Sequence, residues 1–182
     1  AARGGAFADV LVAGSGDESL HGNGGDDLLV GLEGSDTMLG GAGADVYLDG
    51  PTNDFSGDDT GRDLFRGTPA ELDGDVIFGF GPGDRIGVDL AVFDETGSLV
   101  DGGLSLGAMT VSQGGVIDLA PHALAPLIDM PFSETSAVLS FAADGSGTAA
   151  FSLTLAGDYS AGTFLVIPSD TRPAVIWEAN LP

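Results

Sequence analysis

HGNGGDDLL (residues 21–29), VGLEGSDTML (30–39) and GGAGADVYL (40–48) are successive copies of one short pattern. Each copy places glycines before an acid, then one free position, then a large apolar residue. The pattern extends upstream through AGSGDESL (13–20) to GGAFADVLV (4–12), and downstream through DGPTNDFSG (49–57) to DDTGRDLFR (58–66). The unit is nine residues, with one eight-residue and one ten-residue copy. Its sixth position holds Asp9, Glu18, Asp26, Asp45, Asp54 and Asp63, and Asp36 fills it in the longer copy. Two residues on come Leu11, Leu20, Leu28, Met38, Tyr47 and Phe65, with Ser56 as the exception. The glycines ahead of the acid are Gly14 and Gly16, Gly22 and Gly24, Gly31 and Gly34, and Gly41 and Gly43. A fixed period of this length marks a repeat architecture.

A glycine-rich half-unit can adopt positive φ and make a tight turn whose carbonyls point inward. The three residues that follow suit a very short strand with its apolar side chain buried. Two units complete one turn of a coil, so loops two units apart lie side by side. This reading predicts two columns of acids, Asp9, Asp26, Asp45 and Asp63 along one edge and Glu18, Asp36 and Asp54 along the other.

Stacked carboxylates repel unless a cation lies between them. Carboxylate and carbonyl oxygens suit calcium, which accepts six to eight oxygen ligands in flexible geometry. Magnesium demands a near-ideal octahedron, and zinc prefers nitrogen or sulfur, of which the chain offers two His and no Cys. The metal ligands expected from the pattern are therefore Asp9, Glu18, Asp26, Asp36, Asp45, Asp54 and Asp63, with the glycines named above supplying loop carbonyls. Several calcium ions are expected.

Composition agrees. Across 182 residues there are 28 acids against five Arg and no Lys, a formal charge of −23. Such a chain repels phosphate backbones and anionic membrane surfaces, which excludes nucleic acid as a partner. No apolar run is long enough for a membrane helix, so no membrane insertion is expected. A hydrophobic content of 43% separates the chain from acidic disordered sequences. A halophilic surface would scatter its acids, whereas 20 of the 28 fall in residues 1–95 and 22 are Asp. Without Cys there are no disulfides, and bound metal is an alternative staple.

The GGAGADVYL copy fits the nonapeptide G-G-x-G-x-D-x-U-x, so residues 4–66 resemble the RTX (repeats-in-toxin) calcium-binding family. The resemblance implies a parallel β-roll with calcium held between loops two repeats apart. It also implies export through a type I secretion apparatus, an extracellular location and folding triggered by calcium outside the cell. Phe7, Thr52 and Asp59 depart from the pattern at loop glycines, and Glu18 replaces Asp with a longer arm. Residues 63–90 resemble the segment that closes β-rolls in serralysin-type proteases and alginate-epimerase R-modules, with Asp84 as a further candidate ligand. There Val76, Phe78 and Phe80 alternate with Ile77, as in a roll covered on both sides.

Beyond Gly97 the repeat fades, and six of the nine prolines lie there. Apolar runs at 104–106, 109–111, 116–119, 137–141, 149–155, 164–167 and 175–177 read as short strands, and Asp144–Gly147 as a hairpin loop. The expected fold is all-β: a parallel β-roll with its closing strands over 4–95, then antiparallel β-structure over 98–182 packed on the roll or extending it.

No HExxH, G-x-S-x-G or P-loop motif is present. His21 reads as a solvated turn side chain and His122 as a loop residue. Trp177, Tyr47 and Tyr159 could stack on a sugar, but core or edge packing is the simpler reading. The pattern thus points to a non-catalytic calcium-binding module, with an extracellular polysaccharide or cell-surface binding module as the alternative and a hydrolase with a hidden site as the third.

Overall fold

The computed structural model describes residues 1–50, 61–93, 99–102, 109–117, 135–142, 149–168 and 172–179. These residues form strands and turns, with no helix among them. The repeat winds back and forth between two sheets. Strands β1 (Ala2–Arg3), β3 (Ser19–Gly24), β5 (Thr37–Ala42), β7 (Leu64–Gly67) and β9 (Arg85–Val88) build the first sheet, all parallel. Strands β2 (Val10–Val12), β4 (Leu28–Leu32), β6 (Val46–Asp49) and β8 (Val76–Phe78) alternate with them in the second sheet.

The facing surfaces meet in single file. In the first sheet Ala2, Leu20, Met38, Phe65 and Ile86 are neighbours in register. In the second, Leu11, Leu29, Tyr47 and Ile77 are neighbours. From Leu20 and Leu29 onward every one of these side chains is buried, in one continuous core. Burying each such side chain contributes about 1.5–3 kcal/mol, which lets strands of three to six residues hold together.

The register corrects the sequence frame at two places. Counted from Gly4, the units are 4–12, 13–21, 22–30, 31–39 and 40–48, all of nine residues. Leu29 and not Leu28 points into the core; Leu28 turns outward with Val30. His21 consequently closes its unit inside β3 rather than occupying a turn, and its Nε2 lies 2.9 Å from Ser19 Oγ. The second correction concerns 49–62. Asp45 leads into β6 of the second sheet and Asp63 into β7 of the first, the very next half-turn of the coil. β7 pairs directly with β5, and β8 with β6; Asp54 lies outside the described residues.

The later strands extend both sheets. β12 (Met109–Val116), β13 (Thr135–Ala142) and β14 (Ala149–Ala156) form an antiparallel meander, and β14 then joins β8 in parallel, with Leu155 opposite Ile77. β16 (Ala174–Ala179) pairs antiparallel with β9, and β15 (Gly162–Ile167) pairs with β16 at the edge. β10 (Ala91–Phe93) and β11 (Leu99–Gly102) make a separate antiparallel pair. The expected β-roll with antiparallel strands extending it is what the chain forms. The expected runs at 109–111, 137–141, 149–155, 164–167 and 175–177 are strands; 104–106, 118–119, the 144–147 loop and His122 lie outside the described residues.

The two outer faces differ. On the second sheet Leu28, Val30, Val46, Leu48, Val76, Phe78 and Ala156 form a second buried cluster, so that sheet is covered on both sides as expected for Val76 and Phe78. Phe80 instead joins the central core. The first sheet turns Ser19, His21, Thr37, Leu39, Arg66 and Arg85 outward, in alternation with its buried row.

Candidate metal centre

Each turn of the coil passes a backbone N–H to the carboxylate two units ahead. On one edge Asp9 N–H donates to Asp27 Oδ1 (2.8 Å), Asp27 N–H to Asp45 Oδ1 (2.8 Å) and Asp45 N–H to Asp75 Oδ1 (2.9 Å). On the other, Glu18 N–H donates to Asp36 Oδ1 (2.8 Å), Asp36 N–H to Asp63 Oδ1 (2.6 Å) and Asp63 N–H to Asp84 Oδ1 (3.0 Å). The two columns are thus Asp9, Asp27, Asp45, Asp75 and Glu18, Asp36, Asp63, Asp84.

This overturns part of the expected arrangement. Asp26 stands outside the column; its Oδ1 accepts the Ala44 N–H on the half-buried rim, as Asp17 does from Ser35 on the opposite edge. Asp63 belongs with Asp36, not with Asp45. The cause of the first error is the run Leu28-Leu29-Val30, buried on both faces, which carries no alternation to fix which of two adjacent acids faces in. Asp75 and Asp27 were missed as column members. The signal that could have found Asp27 is the uninterrupted 18-residue interval of Asp9, Asp27 and Asp45.

The glycines divide by position. In the units from 22 to 48, second and fourth positions carry positive φ: Gly41 and Gly43 at 102° and 143°, Gly25 at 98° and Gly34 at 122°. Asn23 (φ 77°) and Leu32 (φ 69°) occupy second positions without being glycine. The expected pair Gly22 and Gly24 is therefore not the turn pair of its loop; Asn23 and Gly25 are. Gly22 and Gly31 hold first positions, where a Cβ would collide with the carboxylates of Asp27 and Asp36. At Gly24 a Cβ would find ordinary space. Gly14 and Gly16 flank the first loop of the other edge, and Gly14 N–H donates to Glu18 Oε2 at 3.2 Å.

The second oxygens of the columns are the chemically informative ones. Asp27 Oδ2, Asp45 Oδ2 and Asp63 Oδ2 are buried and accept no hydrogen bond. In the first turn, by contrast, Asp9 Oδ2 closes its own loop on Gly5 N–H at 2.6 Å. Burial pushes Asp45 up to about 7 and Asp63 up to about 6, against the pull of the N–H groups they accept. Asp27 is raised for the same reason, and Asp75 well above the usual range. Without a cation these groups hold protons that exposed carboxyls would release. A line of inward carboxylate oxygens with no donor, beside tight glycine loops, fits a hard cation with oxygen ligands. The residues that would hold it are the column acids and the loop carbonyls.

Residues 2–29 and 12–47 match the RTX calcium-binding nonapeptide repeat model, in four copies. The match covers the first quarter of the chain. RTX repeats bind calcium, and the stacked acids at 9–45 are the residues this match covers. No curated protein sequence matches the chain. Among solved structures the chain is similar to the solution structure of the AlgE6R3 subunit from the Azotobacter vinelandii mannuronan C5-epimerase. The identity is 24% and the TM-score 0.51, covering 87% of this chain and 75% of that one. That likeness supports the β-roll. The RTX match ends at residue 47, yet the columns continue through Asp63, Asp75 and Asp84, so the coil outlasts its recognisable repeat.

The aromatic residues are structural. Tyr47 is fully buried, its hydroxyl donating to Asp75 Oδ2 at 3.0 Å and accepting from Gly40 N–H at 2.9 Å. Tyr159 is buried against Phe164 and Trp177, with its hydroxyl donating to Phe80 O at 2.9 Å.

Proposed function

We propose that the chain is a calcium-dependent folding and stability module of an extracellular protein exported by a type I secretion apparatus, and that it has no catalytic site of its own. The observation that carries this reading is the set of buried, donor-free oxygens on Asp27, Asp45 and Asp63. Those groups destabilise the coil while ionised and bare, and become ligands once calcium is present. Binding confined to the folded state is folding free energy. Inside a cell, where free calcium is scarce, the chain would stay unfolded for export; outside, calcium would fold it. The unit that responds is residues 4–95, with 98–182 sealing its end.

The test is a calcium titration of the EGTA-treated protein followed by far-UV circular dichroism. A cooperative gain of β-structure is expected, reversed by chelation. A spectrum and melting temperature indifferent to EGTA, in protein shown free of residual calcium, would overturn it.

One feature favours a second role, binding of a polyanionic polysaccharide. Four of the chain's five arginines gather on the outer face of the first sheet. Arg3 stands opposite His21, Arg66 and Arg85 lie on β7 and β9, and Arg172 reaches across Gly87. His21 is held below its usual value by burial and by Arg3 and Arg66. On the same face Asp89 is engaged by Arg66 (2.7 Å) and Arg172. Retention of the protein on immobilised carboxylated polysaccharide in calcium, weakened by Arg3→Ala and Arg85→Ala, is the expected result; equal retention of the double variant would refute it.

A further inference from the structure

We propose that Asp49, Asp63 and Asp84 hold a divalent cation, calcium by their all-oxygen donor set, in a site that the nonapeptide pattern does not specify. One carboxylate oxygen from each lies within 4.8 Å of the others, and all three residues are buried. That span is close to the separation of oxygens sharing one calcium ion, whose calcium–oxygen distance is about 2.3–2.6 Å. The site extends the calcium-module reading to residues outside the matched repeats.

Proximity of acids alone would not make a site, but Asp63 adds an independent observation. It is 1% exposed, and its Oδ2 accepts no hydrogen bond, while Oδ1 is committed to Asp36 N–H at 2.6 Å. The Asp49 carboxyl lies within hydrogen-bond reach of Asp63, but two carboxyls can share such a bond only if one keeps its proton. Three carboxylates held this close repel one another when ionised, and a cation among them removes that repulsion.

Asp49 is the residue that sets this site apart. It stands at the first position of its unit, where the earlier units have Gly4, Ala13, Gly22, Gly31 and Gly40 and can offer only backbone. Here a side-chain carboxylate enters the loop. Asp49 closes β6 in the second sheet, whereas Asp63 and Asp84 lead into β7 and β9 of the first. A cation among them would tie the sheets together where the link between successive column acids lengthens from nine residues to eighteen, Asp45 to Asp63. Fixing both ends of that longer connection offsets the loop entropy it adds. The surroundings fit the purpose: Gly79, at φ 87°, packs so closely on Asp49 that a Cβ would come within 2.6 Å of the Asp49 carbonyl. Asp84 is braced by Asp63 N–H and by Gly81 N–H at 2.7 Å, which leaves its carboxylate pre-positioned.

The experiment counts calcium ions on the full chain by isothermal calorimetry and by terbium luminescence, for the wild type, Asp49→Asn, Asp84→Asn and the double variant. Each isosteric amide removes a charge and keeps the shape. The expected result is one ion fewer in either single variant, no further loss in the double, and the other binding midpoints within about twofold, as for sites that do not share ligands. If Asp49→Asn folds in calcium and binds as many ions with the same midpoints, the site is refuted while the repeat reading stands. If the wild type binds a single ion that Asp49→Asn abolishes, the site stands and the repeat loops are not occupied. If the wild type binds none, both fall. Should Asp49→Asn fail to fold, Asp49→Glu keeps the charge on a longer arm and must shift the midpoint of one ion; unchanged midpoints in a folded Asp49→Glu protein would equally overturn the proposal.

Discussion

The last carboxylate of one edge, Asp75, is satisfied by the protein itself: Asp45 N–H binds one oxygen and the Tyr47 hydroxyl the other. On the opposite edge Asp63 keeps an oxygen with no donor and sits among Asp49 and Asp84. Both edges grow from the same repeat and the same N–H-to-carboxylate ladder. What separates them is one residue in each case, a tyrosine hydroxyl buried at an apolar position and an aspartate at a glycine position. A stack of acids can thus be ended by an internal donor or left open to a cation, and the choice decides whether that end of the coil depends on metal.

The largest effect is expected within a column. Asp45→Ala leaves Asp27 N–H without its acceptor and deletes a donor-free ligand, so the loss should reach about 3 kcal/mol or more in calcium, from an unsatisfied buried group plus the forfeited ion. Asp27→Ala should behave alike, and the pair should fall short of additivity by about 0.5–3 kcal/mol, because the two are bonded neighbours. Asp26→Ala, on the rim, should cost far less. Calorimetric calcium binding and urea unfolding check this; coupling of Asp45 to Asp26 instead of Asp27 would break the column assignment.

Next comes the sealed end. Tyr47→Phe removes the donor to Asp75 and the acceptor of Gly40 N–H, costing about 1–3 kcal/mol. Because that end is closed without metal, the penalty should be similar in calcium and in EGTA. A penalty that appears in only one of the two would show that Asp75 also serves a cation.

Proton linkage separates the bare and loaded states. In EGTA the folded-state values of Asp27, Asp45, Asp63 and Asp75 are raised by burial, Asp45 to about 7 and Asp63 to about 6. The fold then binds more protons than the unfolded chain, so stability is lost as pH rises from the ordinary carboxyl value of 3.8 through 6 to 7. In saturating calcium Asp27, Asp45 and Asp63 must be ionised, their proton affinity falls, and stability is lost as pH drops. Melting temperatures against pH should therefore slope in opposite directions with and without calcium; parallel slopes would refute the assignment of these oxygens to the ion.

The smallest effect lies in the turns. Asn23 and Leu32 hold positive φ at second positions, where other units have glycine. Leu32→Gly relieves about 1 kcal/mol of backbone strain but gives up packing against the outer cluster, so the net change should stay within about 1 kcal/mol. Asn23→Gly should change even less, since Asn tolerates this conformation and donates to Gly4 O at 2.8 Å. Thermal melts resolve both.

The coil, its two alternating sheets and the calcium chemistry were legible in the sequence, because a nine-residue period with an acid and an apolar residue at fixed offset has few other physical readings. The frame at Asp26-Asp27 was not, since strands buried on both faces lose the alternation that sets register. Asp49 was invisible because its role arises only when β6, β7 and β9 come together. The strands after residue 108 could be seen as strands, but nothing local says that β14 will lie parallel to β8 or that β16 will turn back on β9.

That placement of β14 sets a timetable. Over the first six strands neighbours are 18 residues apart, as Leu11 is from Leu29 and Leu29 from Tyr47, and the separation stays at or below 30 through Tyr47 and Ile77. Ile77 must instead wait for Leu155, and Ile86 for Val175. Chain closure costs more and takes longer as the separation grows. The coil is thus assembled from short steps, while its final rungs are long-distance closures, and a chain emerging amino-terminus first would carry two bare strand edges, β8 and β9, until its last third arrives to cover them.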